Sequence, residues 1–260
     1  MVRGALFLVI VQIKRILQHR TDAIAWFVVA VLRLAVGLTV IFTVYSFIPS
    51  IEGFDAYACI LVYAGYSFVT SLFYTLFPWT LWYSRRYIIE GRMLTMITKP
   101  IDPLLYLIGE NFSCEEFLEA IANLLLFVIV AALSGVSWWR ILALVALFVP
   151  GTMTVTGIFI LVASLGARSH GIERAFSPIT SMIDFAQYPT SIYPRGIRFF
   201  MNWIIPYSLI AFVPVSIALG VSPAELSKTL WWMPVYGISI FFISIYAFRS
   251  TLRGFESSGT

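Results

Sequence analysis

The chain has 260 residues, of which 60% are hydrophobic and only 12% charged, and its formal net charge is +4. A soluble domain carries about 25% charged residues, so these values exclude a soluble fold and describe one integral membrane domain, 1–260, with no room for a catalytic module. The basic excess is spread over segment ends rather than gathered in one patch, which fits membrane orientation more readily than nucleic-acid binding, so no nucleic-acid partner is expected.

Residues 1–22 read as an interfacial amphipathic helix, with Leu6, Val9, Ile13, Ile16 and Leu17 opposite Gln12, Lys14, Arg15 and Gln18. Such a helix lies in the headgroup plane. The apolar stretch Ala5–Val11 is too short to span and no small-residue cleavage site follows it, so no cleaved leader is expected. A spanning helix needs about 20 apolar residues. The first candidate is Ala23–Phe47, and the second, Ala56–Trp82, is crowded with aromatic rings. Of these, Trp79, Trp82 and Tyr83 suit an interfacial belt. A third candidate, Phe117–Ser134, and a fourth, Trp139–Leu165, are joined by the short turn Gly135-Val136-Ser137. The last is Leu230–Phe248, followed by Arg249, Arg253 and a polar tail. No internal repeat is visible.

Between the second and third spans lies a charged segment, 83–116, that cannot sit in hydrocarbon. Its Arg85, Arg86, Arg92 and Lys99 place it on the cytoplasmic side. A short amphipathic helix and the turn Lys99-Pro100-Ile101-Asp102-Pro103 give it the look of a docking surface for a soluble partner. Glu90, Gly91, Arg92, Lys99, Pro100 and Asp102 are its candidate coupling residues.

Gly166–Gly220 is harder to place. Ala175–Tyr193 is weakly apolar and holds Asp184, while Ile197–Leu219 is more apolar but broken by Pro206 and Pro214. Either segment completes a six-span topology with both termini cytoplasmic. The positive-inside count slightly favours the later segment as the span. The two prolines free backbone groups at mid-segment, however, which suits an element that dips in and returns against protein. The residues leave both topologies open; the resemblance drawn below favours a fifth span over Ala175–Tyr193 and an outer re-entrant hairpin over 195–220. Pro194, Arg195, Arg198, Pro206 and Pro214 mark that hairpin.

Three polar residues fall at membrane depth: Arg33, Asn123 and Asp184. An intramembrane Arg costs about 2.5–3.5 kcal/mol on insertion scales, so Arg33 needs a partner, either Asp184 or Glu119, unless it binds an anionic substrate group. Glu115, Glu116 and Glu119 open the third span, where acids complement the helix macrodipole. No nucleophile or His accompanies them for acid–base chemistry, and His19 and His170 lack metal-ligand spacing. The rings of Tyr66, Phe73 and Tyr74, with Phe176, Phe185 and Tyr188, can line a slot for a hydrophobic or cationic molecule. Cys59 and Cys114 fall at different levels, so no disulfide is expected.

Four runs then carry a resemblance: Ile89-Glu90-Gly91-Arg92-Met93-Leu94, Thr98-Lys99-Pro100-Ile101, Ile192-Tyr193-Pro194-Arg195-Gly196-Ile197-Arg198, and Ile205-Pro206-Tyr207-Ser208-Leu209-Ile210 with Val213-Pro214. With the order of spans, they resemble the permease subunits of ABC-2-type exporters, in the branch found as paired permeases beside one ATPase. The resemblance implies an all-α integral membrane protein of six transmembrane helices with a cytoplasmic coupling helix at the Glu90–Lys99 stretch. It implies second and fifth spans facing a central cavity and a re-entrant hairpin on the outside. It also implies a location in the cell inner membrane, a second permease (identical or sibling) and a cytosolic ABC ATPase dimer. The expected substrate is hydrophobic, amphipathic or lipid-like. The chain has no G-x-x-x-x-G-K-[ST] phosphate cradle, so it should bind no cofactor itself, with ATP and Mg²⁺ held by the ATPase. An ion-coupled transporter and a membrane-embedded lipid-acting enzyme, each working without an ATPase, are the rival expectations.

Overall fold

A computed structural model describes residues 2–18, 20–51, 53–81, 83, 87, 90–168, 178, 181–220 and 224–253. Among these the regular structure is helical: α1 Val2–Gln18, α2 Arg20–Phe47, α3 Ala56–Leu76, α4 Met93–Ile97, α5 Pro103–Glu110, α6 Cys114–Leu133, α7 Trp138–Arg168, α8 Arg195–Phe199, α9 Phe212–Ala218 and α10 Ala224–Arg253. Five stretches are long and apolar enough to cross a membrane: Ile24–Phe47, Ala56–Leu76, Cys114–Leu133, Trp138–Gly166 and Trp232–Arg253.

Local chemistry sets the helix ends. Asp55 opens α3 by accepting from the Ala58 amide at 2.8 Å, and Ser113 does the same for α6 through the Glu116 amide at 3.3 Å. The tight α6–α7 turn needs Gly135 in the left-handed region, at φ 74, where a side chain would be strained.

The hub is α3: 78% of its spanning stretch is buried, against 6% for α2 at the periphery. Its neighbours are α6, α7 and α2. The tightest helix pair is α7 with α10, and glycine is the reason. A β-carbon at Gly157 would stand 3.0 Å from the Ile240 backbone, and one at Gly237 would collide with the Pro150 carbonyl. Small residues at such crossings let backbones approach closely within a membrane.

The second span is shorter than expected, ending at Leu76 instead of Trp82. Pro78 forces the residue before it out of the helical region, and Pro78–Leu81 forms a 3₁₀ turn. The expected interfacial belt is corrected with it. Trp79 and Tyr83 are both fully buried, their rings packed on Phe248 at 5.3 and 5.2 Å, while Trp82 lies outside the described residues. Hydropathy cannot separate an aromatic turn tucked into the core from one at the interface.

Beside the linker, α1 lies across α5. A β-carbon at Gly109 would sit 2.9 Å from both the Ala5 carbonyl and the Leu8 side chain, and Gln12 Nε2 donates to the Glu110 carbonyl at 2.6 Å. The protein-facing edge of α1 therefore runs through Ala5, Leu8 and Gln12, while Leu6, Phe7, Ile10 and Ile13 stay exposed.

The stretch 197–219 forms no continuous helix. It passes from α8 through a π-helical turn, Phe200–Ile204, and a 3₁₀ turn, Tyr207–Leu209, into α9. Pro206 separates the two turns, and Pro214 takes the third position of α9, where a missing N–H costs little. Of the expected span 175–193, residues 175–177, 179 and 180 lie outside the described residues, and 182–187 and 190–192 are 3₁₀ turns.

Candidate functional site

Four chain segments wall a cavity of about 620 Å³ between α2, α3, α6 and the 3₁₀ turn Met182–Gln187. On α3 the spacing Tyr63, Tyr66, Thr70, Tyr74 puts these four residues on one helical face toward it. On α6 the lining pair is Glu116 and Glu119, three residues apart on one face. In the 3₁₀ turn side chains three apart eclipse, so Asp184 and Gln187 point the same way. From α2 come Arg33 and Trp26.

Arg33 Nη1 donates to both carboxylate oxygens of Glu119, at 3.2 and 3.3 Å. Of the two partners open from the sequence, Glu119 is therefore the one engaged. The Glu119 side chain is 14% exposed and that of Arg33 50%, so the pair is buried chiefly on its acidic side. Tyr66 donates its phenol to Asp184 Oδ1 at 3.0 Å, and the Tyr63 phenol donates to the Arg33 carbonyl at 3.4 Å. Glu116 Oε2 is buried with no hydrogen-bond partner. A buried carboxyl oxygen left unsatisfied is costly.

A smaller apolar slot, about 80 Å³, opens between α2 and α6 against Ile16 of α1. Phe27, Ala30, Val31, Leu34, Leu118 and Ala122 supply its walls, and it shares Trp26, Glu116 and Glu119 with the larger cavity. Asn123 touches this slot and donates to Ser71 Oγ at a long 3.4 Å, tying α6 to α3.

Of the aromatic candidates, Tyr66 and Tyr74 line the cavity. Phe73 points the opposite way into the core, 0% exposed, with its ring 4.6 Å from Phe159. Phe185 stacks edge-on to Tyr193 at 5.5 Å, Tyr188 packs half-buried against the core, and Phe176 lies outside the described residues. Glu116 and Glu119 carry a signal that the sequence already held, their shared face, although it read there as helix-dipole chemistry.

The linker is a second assembly. Gly91 adopts φ 72 with open space around it, turning the chain so that Glu90 and Arg92 face outward as a loose pair at 3.9 Å, both about half exposed. Such a pair contributes about 0–1 kcal/mol. Directly after it, α4 buries Met93 and Met96. Tyr83 donates to Met93 Sδ at 3.7 Å, and burial, with Tyr87 close by, raises its phenol above the ordinary value, so it stays a neutral donor. Lys99 Nζ reaches the Tyr106 hydroxyl at 2.7 Å and lies over that ring at 4.0 Å. Pro100 stays exposed.

Asp102 has two roles. Its Oδ1 caps α5 through the Leu104 and Leu105 amides at 3.0 and 3.3 Å. Its Oδ2 meets Arg249 of α10 at 3.1 Å. Tyr87 donates to Glu110 Oε2 at 2.9 Å, closing the linker on itself.

In the 195–220 region Pro194 caps α8 and Arg195 is exposed. Arg198 donates to the carbonyls of Ser191 and Tyr193, pinning α8 to the preceding turn. Pro206 and Pro214 are buried.

No curated relative matches the chain. A family profile described as ABC-2 family transporter protein matches residues 31–259, which takes in the linker, the Pro-broken region and every cavity-lining residue except Trp26. The chain therefore belongs to the ABC-2 family of transporter proteins and is the membrane-embedded permease of an ABC transporter.

Proposed function

We propose that this permease is the membrane half of an ATP-driven exporter in the cell inner membrane. It takes a hydrophobic, amphipathic or lipid-like substrate from the cytoplasm or inner leaflet into the Arg33–Asp184 cavity. Both termini lie in the cytoplasm, 175–193 is the fifth of six spans and 195–220 is the outer re-entrant gate. A second permease, identical or sibling, completes the membrane unit, and a cytosolic ATPase dimer supplies ATP and Mg²⁺.

The observation that carries this reading is the attachment of the linker. Its exposed Glu90–Arg92 turn is joined through Asp102 to α10 and through Gly109 and Glu110 to α1. Its two ends continue into α3 and α6, whose inner faces wall the cavity. A push on that turn therefore reaches four elements at once, as a lever gripped by a groove of the ATPase requires.

The test is made on the full chain purified from its own membrane, where a soluble subunit carrying G-x-x-x-x-G-K-[ST] should co-purify. With Cys59 and Cys114 replaced by Ser, a cysteine introduced by Ser67→Cys reports cavity access to an aqueous maleimide. ATP should change its labelling rate, and Glu90→Ala or Arg92→Ala should abolish that change while ATP hydrolysis persists. Labelling indifferent to ATP, or equally responsive in both variants, defeats the proposal.

A further inference from the structure

The two voids differ in chemistry yet share a wall. The larger holds three carboxyl groups, Glu116, Glu119 and Asp184, against one guanidinium, and that guanidinium is already engaged by Glu119. The smaller is apolar and runs between α2 and α6, where Leu118 and Phe27 are themselves exposed on the molecule's outer face. Trp26, Glu116 and Glu119 belong to both.

We infer that the site takes a cationic amphiphile: an ammonium head sits in the acidic cavity and a single apolar tail leaves through the slot between α2 and α6. This rests on reading the cavity as the substrate site, and it adds the charge and shape of what enters. Three observations carry it. Glu116 Oε2, buried and without a partner, lies where the two voids meet and offers the head a charge-assisted contact. Asp184 lines the cavity and receives one phenol there, from Tyr66 to its Oδ1. The rings of Trp26, Tyr66 and Tyr74 around these carboxyl groups supply π faces, which attract a desolvated cation. An anionic head would meet two uncompensated carboxyl groups, because the inward Nη1 of Arg33 already serves Glu119.

The experiment measures equilibrium binding of radiolabelled dodecyltrimethylammonium to the full chain in nanodiscs of zwitterionic lipid, without nucleotide. Saturable binding is expected, competed by excess tetramethylammonium only weakly and by dodecyl sulfate not at all. Glu116→Gln and Asp184→Asn should each weaken it about tenfold, the scale of one lost charge-assisted contact. Ala122→Phe, which fills the slot and leaves every carboxyl group in place, should weaken it comparably. Asp22→Asn, an exposed acid at the start of α2, should leave it unchanged. The inference falls if no saturable binding occurs, if the two carboxyl variants bind like the parent, or if dodecyl sulfate competes in an Arg33-dependent manner. Cation binding with an ATP-indifferent Ser67→Cys label would sink the exporter reading and leave the site standing. The converse result would sink only the site.

Discussion

Asp102 offers a way to separate two contributions that meet on one carboxylate. Asp102→Ala removes both the cap on α5 and the ion pair to Arg249, whereas Asp102→Asn keeps an amide oxygen able to cap and loses only the charge. Replacing an N-cap by Ala costs typically about 1 kcal/mol, with a range of about 0.5–2. The ion pair is worth less: its side chains are 54% and 23% exposed, and pairs of that kind contribute about 0.2–1 kcal/mol. Because the Leu104 and Leu105 amides have no intrahelical acceptor, their hydrogen exchange reports the cap directly. Exchange should quicken about 5-fold or more in Asp102→Ala but only about 1.5- to 5-fold in Asp102→Asn, by the local-opening arithmetic. Arg249→Gln should match Asp102→Asn, and the double variant should add nothing to either. Equal exchange in the Ala and Asn variants would refute the capping account. Full additivity between Asp102→Asn and Arg249→Gln would refute the ion pair.

Two further outcomes follow from packing and charge. Gly237→Ala places a methyl group against the Pro150 carbonyl and should cost about 1–3 kcal/mol, read as a lower melting temperature of the detergent-solubilised chain, while Gly196→Ala, with open space around it, should not. Glu119→Gln leaves Arg33 without its counter-charge and should destabilise the chain more than the double variant Arg33→Gln/Glu119→Gln. An additive double variant would mean the two groups do not interact.

The spans were readable because length and apolarity are local properties, and the α6–α7 turn because a lone glycine marks it. The end of the second span was not, since an aromatic run scores as apolar whether it crosses lipid or folds back under Pro78. Arg33 and Asp184 stood out as ions in apolar surroundings. What the sequence could not show is that they share one chamber. The Tyr66–Asp184 bond joins residues 118 apart and the Arg33–Glu119 pair residues 86 apart, and such closures depend on how helices pack. For the same reason Arg249 was invisible as the partner of Asp102, which lies 147 residues away.

One side of the chamber belongs to α2, which has almost no protein behind it. A wall so weakly backed takes its position from the surrounding medium. Lipid that presses harder from the side should narrow the vestibule, and a neighbouring subunit that leans on the same helix should do likewise. The width of the chamber is thus set partly outside the polypeptide, and thinning or thickening the bilayer around nanodisc-embedded protein becomes an independent handle on its volume.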